Sequence, residues 1–189
     1  MAGHRGAGAG SVLRAETRAR AAVRFGLHAH DRVGVGGQTF EHLVYHFVLT
    51  YSNWETGTIC YSESLESLSE GWQNAVWELG AVAAEHRTDS LSSAVNNMSN
   101  REEFNRRYAG VMRYYGVKPQ HTNPASPNEN GDAEQSHHRF KRAVEQALLL
   151  RGSRDFGSLA EYAQFLKDLF AQRNAGRRAR LASISTPPR

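Results

Sequence analysis

The stretch LVYHFVLTY, residues 43–51, constrains the fold more than any other part of the chain. It is nearly continuous in apolar residues and rich in β-branched and aromatic side chains. A half-exposed strand alternates apolar with polar residues, so a run without alternation reads as a strand buried on both faces. Asn53 marks a turn, and residues 54–61 read as the next strand, paired with the first as a hairpin.

Helical spacing follows. Leu65, Leu68, Trp72, Val76 and Leu79 recur at a 3.6-residue period, with Glu63 and Glu66 near the start and Gly80 at the end. Residues 82–88 are a short strand ending at Asp89. Asn100-Arg101-Glu102-Glu103 is a capping-box pattern. It opens a helix with Phe104, Tyr108, Val111 and Tyr115 on one face, closed by Gly116. Residues 117–122 form a strand. After a loop rich in Pro and Asn, the stretch 129–141 opens an amphipathic helix with Phe140, Val144, Ala147 and Leu148 as its apolar stripe. Ser158-Leu159-Ala160-Glu161 is a second capping box, and its helix carries Leu159, Tyr162, Ala163, Leu166, Leu169 and Phe170 on one face. Upstream, residues 14–22 suit a short basic helix, 23–29 a strand and 34–37 a turn. Strands mixed with helices in this order imply an α/β three-layer sandwich with a central mixed sheet flanked by helices.

In such sheets, sites form beyond strand ends. Asp89 sits at a predicted strand end, and Glu134 in the predicted first turn of the helix that follows. Two carboxylates brought together suit Mg²⁺, a hard cation that takes oxygen ligands. The plainer readings are that Thr88-Asp89-Ser90 caps a turn and that Glu134 answers the helix dipole. His138, Arg139, Lys141 and Arg142 can contact phosphates or simply be solvated. One Glu-x-x-His, formed by Glu134 and His137, is too little for a di-iron bundle. The Gly-rich residues 34–37 lack the Lys-Ser/Thr of a phosphate loop. Trp54, Trp72 and Trp77 read as core, and Cys60 as a buried, inert thiol.

Composition bounds the partners. The chain has 189 residues, a formal charge of +4 and a single Cys. One Cys excludes an internal disulfide and a Cys-rich zinc site. The positive balance makes an anionic partner plausible, with arginines concentrated at both ends (Arg14, Arg18, Arg20 and Arg24; Arg173, Arg177, Arg178 and Arg180). No apolar run reaches membrane-spanning length, so no membrane role is expected. Nor is there an apolar signal core, and a cytoplasmic protein is expected.

Three motifs carry a resemblance. HLVYHFVLTYSNWE (residues 42–55), HRTDSLSSAV (86–95) and NENGDAEQSHHRFK (128–141) resemble, in that order, the integrase catalytic core of IstA-type insertion-sequence transposases. The likeness runs over roughly residues 33–180. It implies an RNase H-like fold, Mg²⁺ (or Mn²⁺) as cofactor, and DNA strand transfer by two-metal phosphoryl displacement on an Asp-Asp-Glu triad. It also implies binding to element ends and target DNA, an AAA+ ATPase helper of the IstB type, an oligomer on DNA, and a nucleoid-associated location. By motif position, Asp89 resembles the second acid and Glu134 the third. The first belongs to a Ser-Asp-Phe-Thr strand upstream of the turn matched here by Gly37-Gln38. Counting back reaches Arg24-Phe25-Gly26, with Arg24 where the Asp is expected; Asp31 is the one nearby acid. The family's DNA-binding region and its following β-domain are not recognisable here. The expectation is therefore a truncated or frame-disrupted core, inactive as it stands. Its predicted parts are a disordered basic segment at 1–22, the core at 23–176 with a degenerate first strand, and a disordered basic tail at 177–189. The alternative is a non-catalytic fragment that binds DNA or interferes with assembly.

Overall fold

The structure, a computed structural model, describes residues 20–25, 32–50, 52–88, 101–121 and 127–177. Its centre is a five-stranded sheet in the order β5-β4-β1-β6-β7. These strands are β1 (Arg20–Phe25), β4 (Leu43–Leu49), β5 (Glu55–Cys60), β6 (Glu85–Thr88) and β7 (Lys118–His121). β4 runs antiparallel to both β1 and β5, whereas β6 runs parallel to β1 and β7. The sheet is thus mixed, as its alternation with helices predicts.

From Val44 to Leu49 every residue of β4 is buried, because each face meets a separate core. On one face Tyr45, Phe47 and Leu49 pack with α1 (Leu65–Leu79) and α2 (Arg101–Tyr114). On the other, Val44 packs with α3 (Pro127–Arg151) and α4 (Leu159–Asn174). The hairpin between β4 and β5 closes at Asn53, whose φ of 55° is a left-handed value that Asn tolerates.

Helix ends follow their caps. The Ser64 side chain accepts from Ser67 N–H, and Gly80 closes α1 in the left-handed conformation. Ser158 accepts from Glu161 N–H as a capping box requires, but the Glu161 carboxylate reaches past it to Gly157 N–H at 2.8 Å. The predicted stripe of α3 is the real one: Phe140, Val144 and Leu148 are buried. Cys60 is buried too, and burial pushes its thiol up.

Four expectations need correction. Residues 20–22, expected in a basic helix, belong to β1: Ala21 and Ala22 pair with β4, and Arg20 pairs with Glu85 of β6. A small second sheet was not foreseen: β2 (Val33–Val35), β3 (Gln38–Phe40) and β8 (Asp155–Phe156), in the order β3-β2-β8. Its tight turn at Gly36-Gly37 has both φ values positive, the geometry a two-residue hairpin requires. Trp77 is 80% exposed, because it lies one position past Val76 and so off the buried stripe. Finally, α3 starts at Pro127, so Glu134 lies two turns inside it and not in its first turn.

Candidate functional site

β1 is the strand around which the candidate site gathers. It lies between β4 and β6, with α3 packed against it. Its six residues, RAAVRF, include no carboxylate. Arg24, the residue at the expected first-acid position, stands directly opposite His46 of β4. On the other side Val23 pairs with Thr88, the last residue of β6. Asp89 and Asp31 lie outside the described residues. Glu134 is placed on α3 through its backbone. Its position two turns in removes the plain explanation of a first-turn acid, since the dipole effect fades within the first turn.

The side chains around this corner form a buried polar chain. Glu55 is 1% exposed and accepts from four directions. Its Oε1 takes hydrogen bonds from Arg173 Nε and Arg177 Nη1, each at 2.6 Å, and its Oε2 takes one from His46 Nε2 at 2.8 Å. Its backbone carbonyl accepts from Asn174 Nδ2 at 2.7 Å, while its N–H donates to Asn174 Oδ1 at 3.0 Å. Burial alone would raise the Glu55 carboxyl, but the hydrogen bonds from His46 and Arg173 outweigh it and hold it down at about 2. Burial lowers His46, which stays neutral beside the ionised Glu55. The proton of neutral His46 then sits on Nε2, facing Glu55. Its Nδ1 lone pair accepts a long hydrogen bond from His137 Nδ1–H, at 3.4 Å. The chain Glu55–His46–His137 thus links β5, β4 and α3.

A second buried histidine lies on the opposite face. His86 of β6 is fully buried, and its Nδ1 meets Tyr108 Oη at 2.6 Å and its Nε2 Tyr45 Oη at 3.4 Å. Burial pulls His86 down to about 3 and pushes Tyr108 up. Tyr45 and His46 are consecutive, so β4 sends one polar handle to each face, as the two-residue strand period requires.

Of the residues expected on DNA, His138, Arg139 and Arg142 are exposed on α3, and Lys141 is half-buried. The Arg139 carbonyl accepts from Arg173 Nη1 at 3.4 Å. Among the described residues, no cluster of three or more His, Cys, Asp or Glu is arranged for a metal, and no helix is long and apolar enough to cross a membrane. The sequence reading missed His46, Glu55, His137, Arg173 and Asn174 as a unit. The signal available was a histidine inside an apolar run and an acid directly after Trp54.

No family model matches the chain. A curated relative, the uncharacterized protein y4jA/y4nE/y4sE of Sinorhizobium fredii (strain NBRC 101917 / NGR234), is 39% identical over 152 residues. The match covers 79% of this chain but only 30% of that protein. Among solved structures, the simian T-cell lymphotropic virus intasome in complex with PP2A regulatory subunit B56 gamma aligns with a TM-score of 0.60 at 11% identity, over 83% of this chain and 48% of that one. The HTLV-2 integrase catalytic core domain in complex with magnesium, in its dimeric form, gives 0.58 at 11% identity, over 83% and 86%. The catalytic core domain of BIV integrase gives 0.55 at 13% identity, over 82% and 84%. Identities this low speak for the fold alone, and on that ground the chain has the RNase H-like fold of the retroviral integrase catalytic cores.

Proposed function

We propose that the chain is a transposase/integrase catalytic-core protein of an insertion sequence, related to Mg²⁺-dependent strand-transfer enzymes but inactive in strand transfer by itself. The observation that carries this reading is the strand order with β1 at its centre. β6, which leads to Asp89, and α3, which bears Glu134, both meet a β1 without a carboxylate.

Asp89 and Glu134 suit one hard cation whose shell is completed by water. They fall short of a two-ion site, which needs an acid bridging both ions. A bound ion would supply charge stabilisation to a phosphate oxygen. The chain's own Arg24 works against that binding, since its guanidinium repels a divalent cation and stays charged at any accessible pH. Glu134 remains an oxygen donor, while His138, Arg139, Lys141 and Arg142 hold phosphates along the outer side of α3. In this reading the core begins at β1, with Arg20, and runs to Arg177, with basic segments on either side. The partners are element ends and target DNA, other copies of the chain on DNA, and an ATPase helper of the IstB type, at the nucleoid. A second reading, a non-catalytic DNA-binding or assembly-interfering protein, is favoured by the exposure of His138, Arg139 and Arg142.

The test is a strand-transfer assay with the element's ends, Mn²⁺ and the helper. No product is expected from the wild-type chain. Product that disappears in Glu134→Gln would overturn the reading, because the site would then be complete. Calorimetry is expected to find one weak Mn²⁺ site, weakened further in Asp89→Asn; two tight sites, or no change, would count against it.

A further inference from the structure

We infer that the Glu55–His46–His137 chain is a positioning device that fixes α3 against the central sheet one turn beyond Glu134, and so sets how that stretch of the helix backbone sits against β1. The inference rests on the reading of Glu134 as a metal ligand.

The anchored end is Glu55. Two guanidinium groups and the Asn174 amide hold its side chain and backbone, and Arg177 also donates to the Asn53 carbonyl. From there the chain crosses to His46, whose ring stacks on Phe140 at 4.6 Å and faces Phe170 at 5.8 Å. The member on α3, His137, is 8% exposed and lies on the turn that follows Glu134. His46 is opposite Arg24 in the ladder, so the chain ends where β1, β4 and α3 converge.

Stacking alone does not account for a histidine at this position. A phenylalanine would pack against the stacked pair Phe140 and Phe170 as well, without the desolvation cost of a polar ring. What phenylalanine lacks is direction. Stacked rings tolerate sliding, whereas the hydrogen bonds at Nε2 and Nδ1 fix the ring about its own plane and hold the next histidine at one angle. Partners that orient a ligand in this way alter metal affinity by about 10–100-fold when removed. The chain also sets the tautomers, with His46 protonated at Nε2 and His137 at Nδ1.

The experiment compares the full wild-type chain, Glu134→Gln, His46→Phe and His137→Phe, by Mn²⁺ titration followed through water-proton relaxation and by thermal denaturation. Nitrogen-15 spectra of the wild-type histidines report the tautomers without any substitution. The expected result is a Mn²⁺ affinity lowered by about tenfold or more in His46→Phe at a temperature where the variant is still fully folded, its denaturation midpoint falling because Glu55 Oε2 loses a buried donor, and His137 protonated at Nδ1. Should His46→Phe fail to fold, His137→Phe carries the comparison. If Glu134→Gln weakens Mn²⁺ binding and the histidine variants do not, the positioning role falls and the metal site stands. An Nε2-protonated His137 in the wild-type chain also overturns the positioning role. If Glu134→Gln leaves Mn²⁺ binding unchanged, or the wild-type chain binds none, the metal reading falls and the positioning role with it.

Discussion

Glu55 has the largest stake in stability of any single residue at the corner. It is ionised, 1% exposed and shared by two arginines that are 16% and 27% exposed. Removing one partner of a buried charge pair costs about 3–5 kcal/mol because the other is left uncompensated. Partial solvation of Arg173 and Arg177 places Glu55→Ala at the lower end, about 3 kcal/mol by urea denaturation. A loss under about 1 kcal/mol would mean that water replaces the carboxylate freely. The buried histidines add a pH signature. His46 and His86 are both lowered from the ordinary 6.5, His86 to about 3, by burial. Below pH 6.5 the unfolded chain binds protons that the folded chain refuses. Their contribution is therefore full above 6.5 and falls as the solution becomes more acid. His86, held at about 3, contributes a slope approaching about 1.4 kcal/mol per pH unit between pH 6 and pH 5, and His46 adds to it in the same direction. Glu55 joins only as the pH drops below its ordinary 4.5 toward about 2. Urea denaturation between pH 6 and pH 5 should therefore lose stability steeply, before the carboxylates titrate, and a flat profile would show that neither histidine is buried neutral. None of this was legible in the sequence. A histidine inside LVYHFVL looks the same whether it is a core curiosity or a relay, because its partners Glu55 and His137 come from other elements.

Elements with strong periodicity or clear caps were legible: β4, α1, α4 and the stripe of α3 lie where their patterns put them. The start of α3 was not. Asn128, Asn130 and Gly131 are poor helix formers and read as loop, yet Pro127 at the first helical position suits a helix start. Cooperative propagation from a well-packed helix carries such residues along. β2 and β8 were invisible because a strand of two or three residues has no measurable alternation. Gly71 of α1 faces Tyr45 of β4 closely. A Cβ there would lie 2.4 Å from Tyr45 Cγ. Alanine would add about 1 kcal/mol of helix propensity, but overpacking costs about 1–3 kcal/mol. At 2.4 Å the clash wins, and Gly71→Ala should lower stability on balance. Because Tyr45 also meets His86, the same variant should alter the nitrogen-15 shifts of His86; a stabilised protein with unchanged shifts would show that α1 simply moves away.

At the scale of the molecule the fold class was the best-read feature, because the motifs as a set implied an RNase H-like fold and the described sheet is mixed and flanked by helices. The state of the site was less legible, since Arg24 could be aligned by counting but not seen beside its partners. At this scale the proposed DNA binding draws on the net charge of +4. If Arg139, Lys141 and Arg142 each neutralise one phosphate, log affinity should fall against log salt with a slope of about −2.7. Fluorescence anisotropy on unrelated duplexes should give the same slope for each, and tight, salt-insensitive binding to one sequence would contradict it. The clamp of Asn174 on Glu55 has a further consequence. β5 forms one margin of the sheet, where unpaired N–H and C=O groups can template the addition of a foreign strand. Asn174 occupies both backbone groups of Glu55, with α4 lying against the strand. At the other margin, β7 carries Pro119, which has no N–H to offer. With both margins blunted, copies of this chain at high local concentration are kept from fusing edge to edge into fibrils.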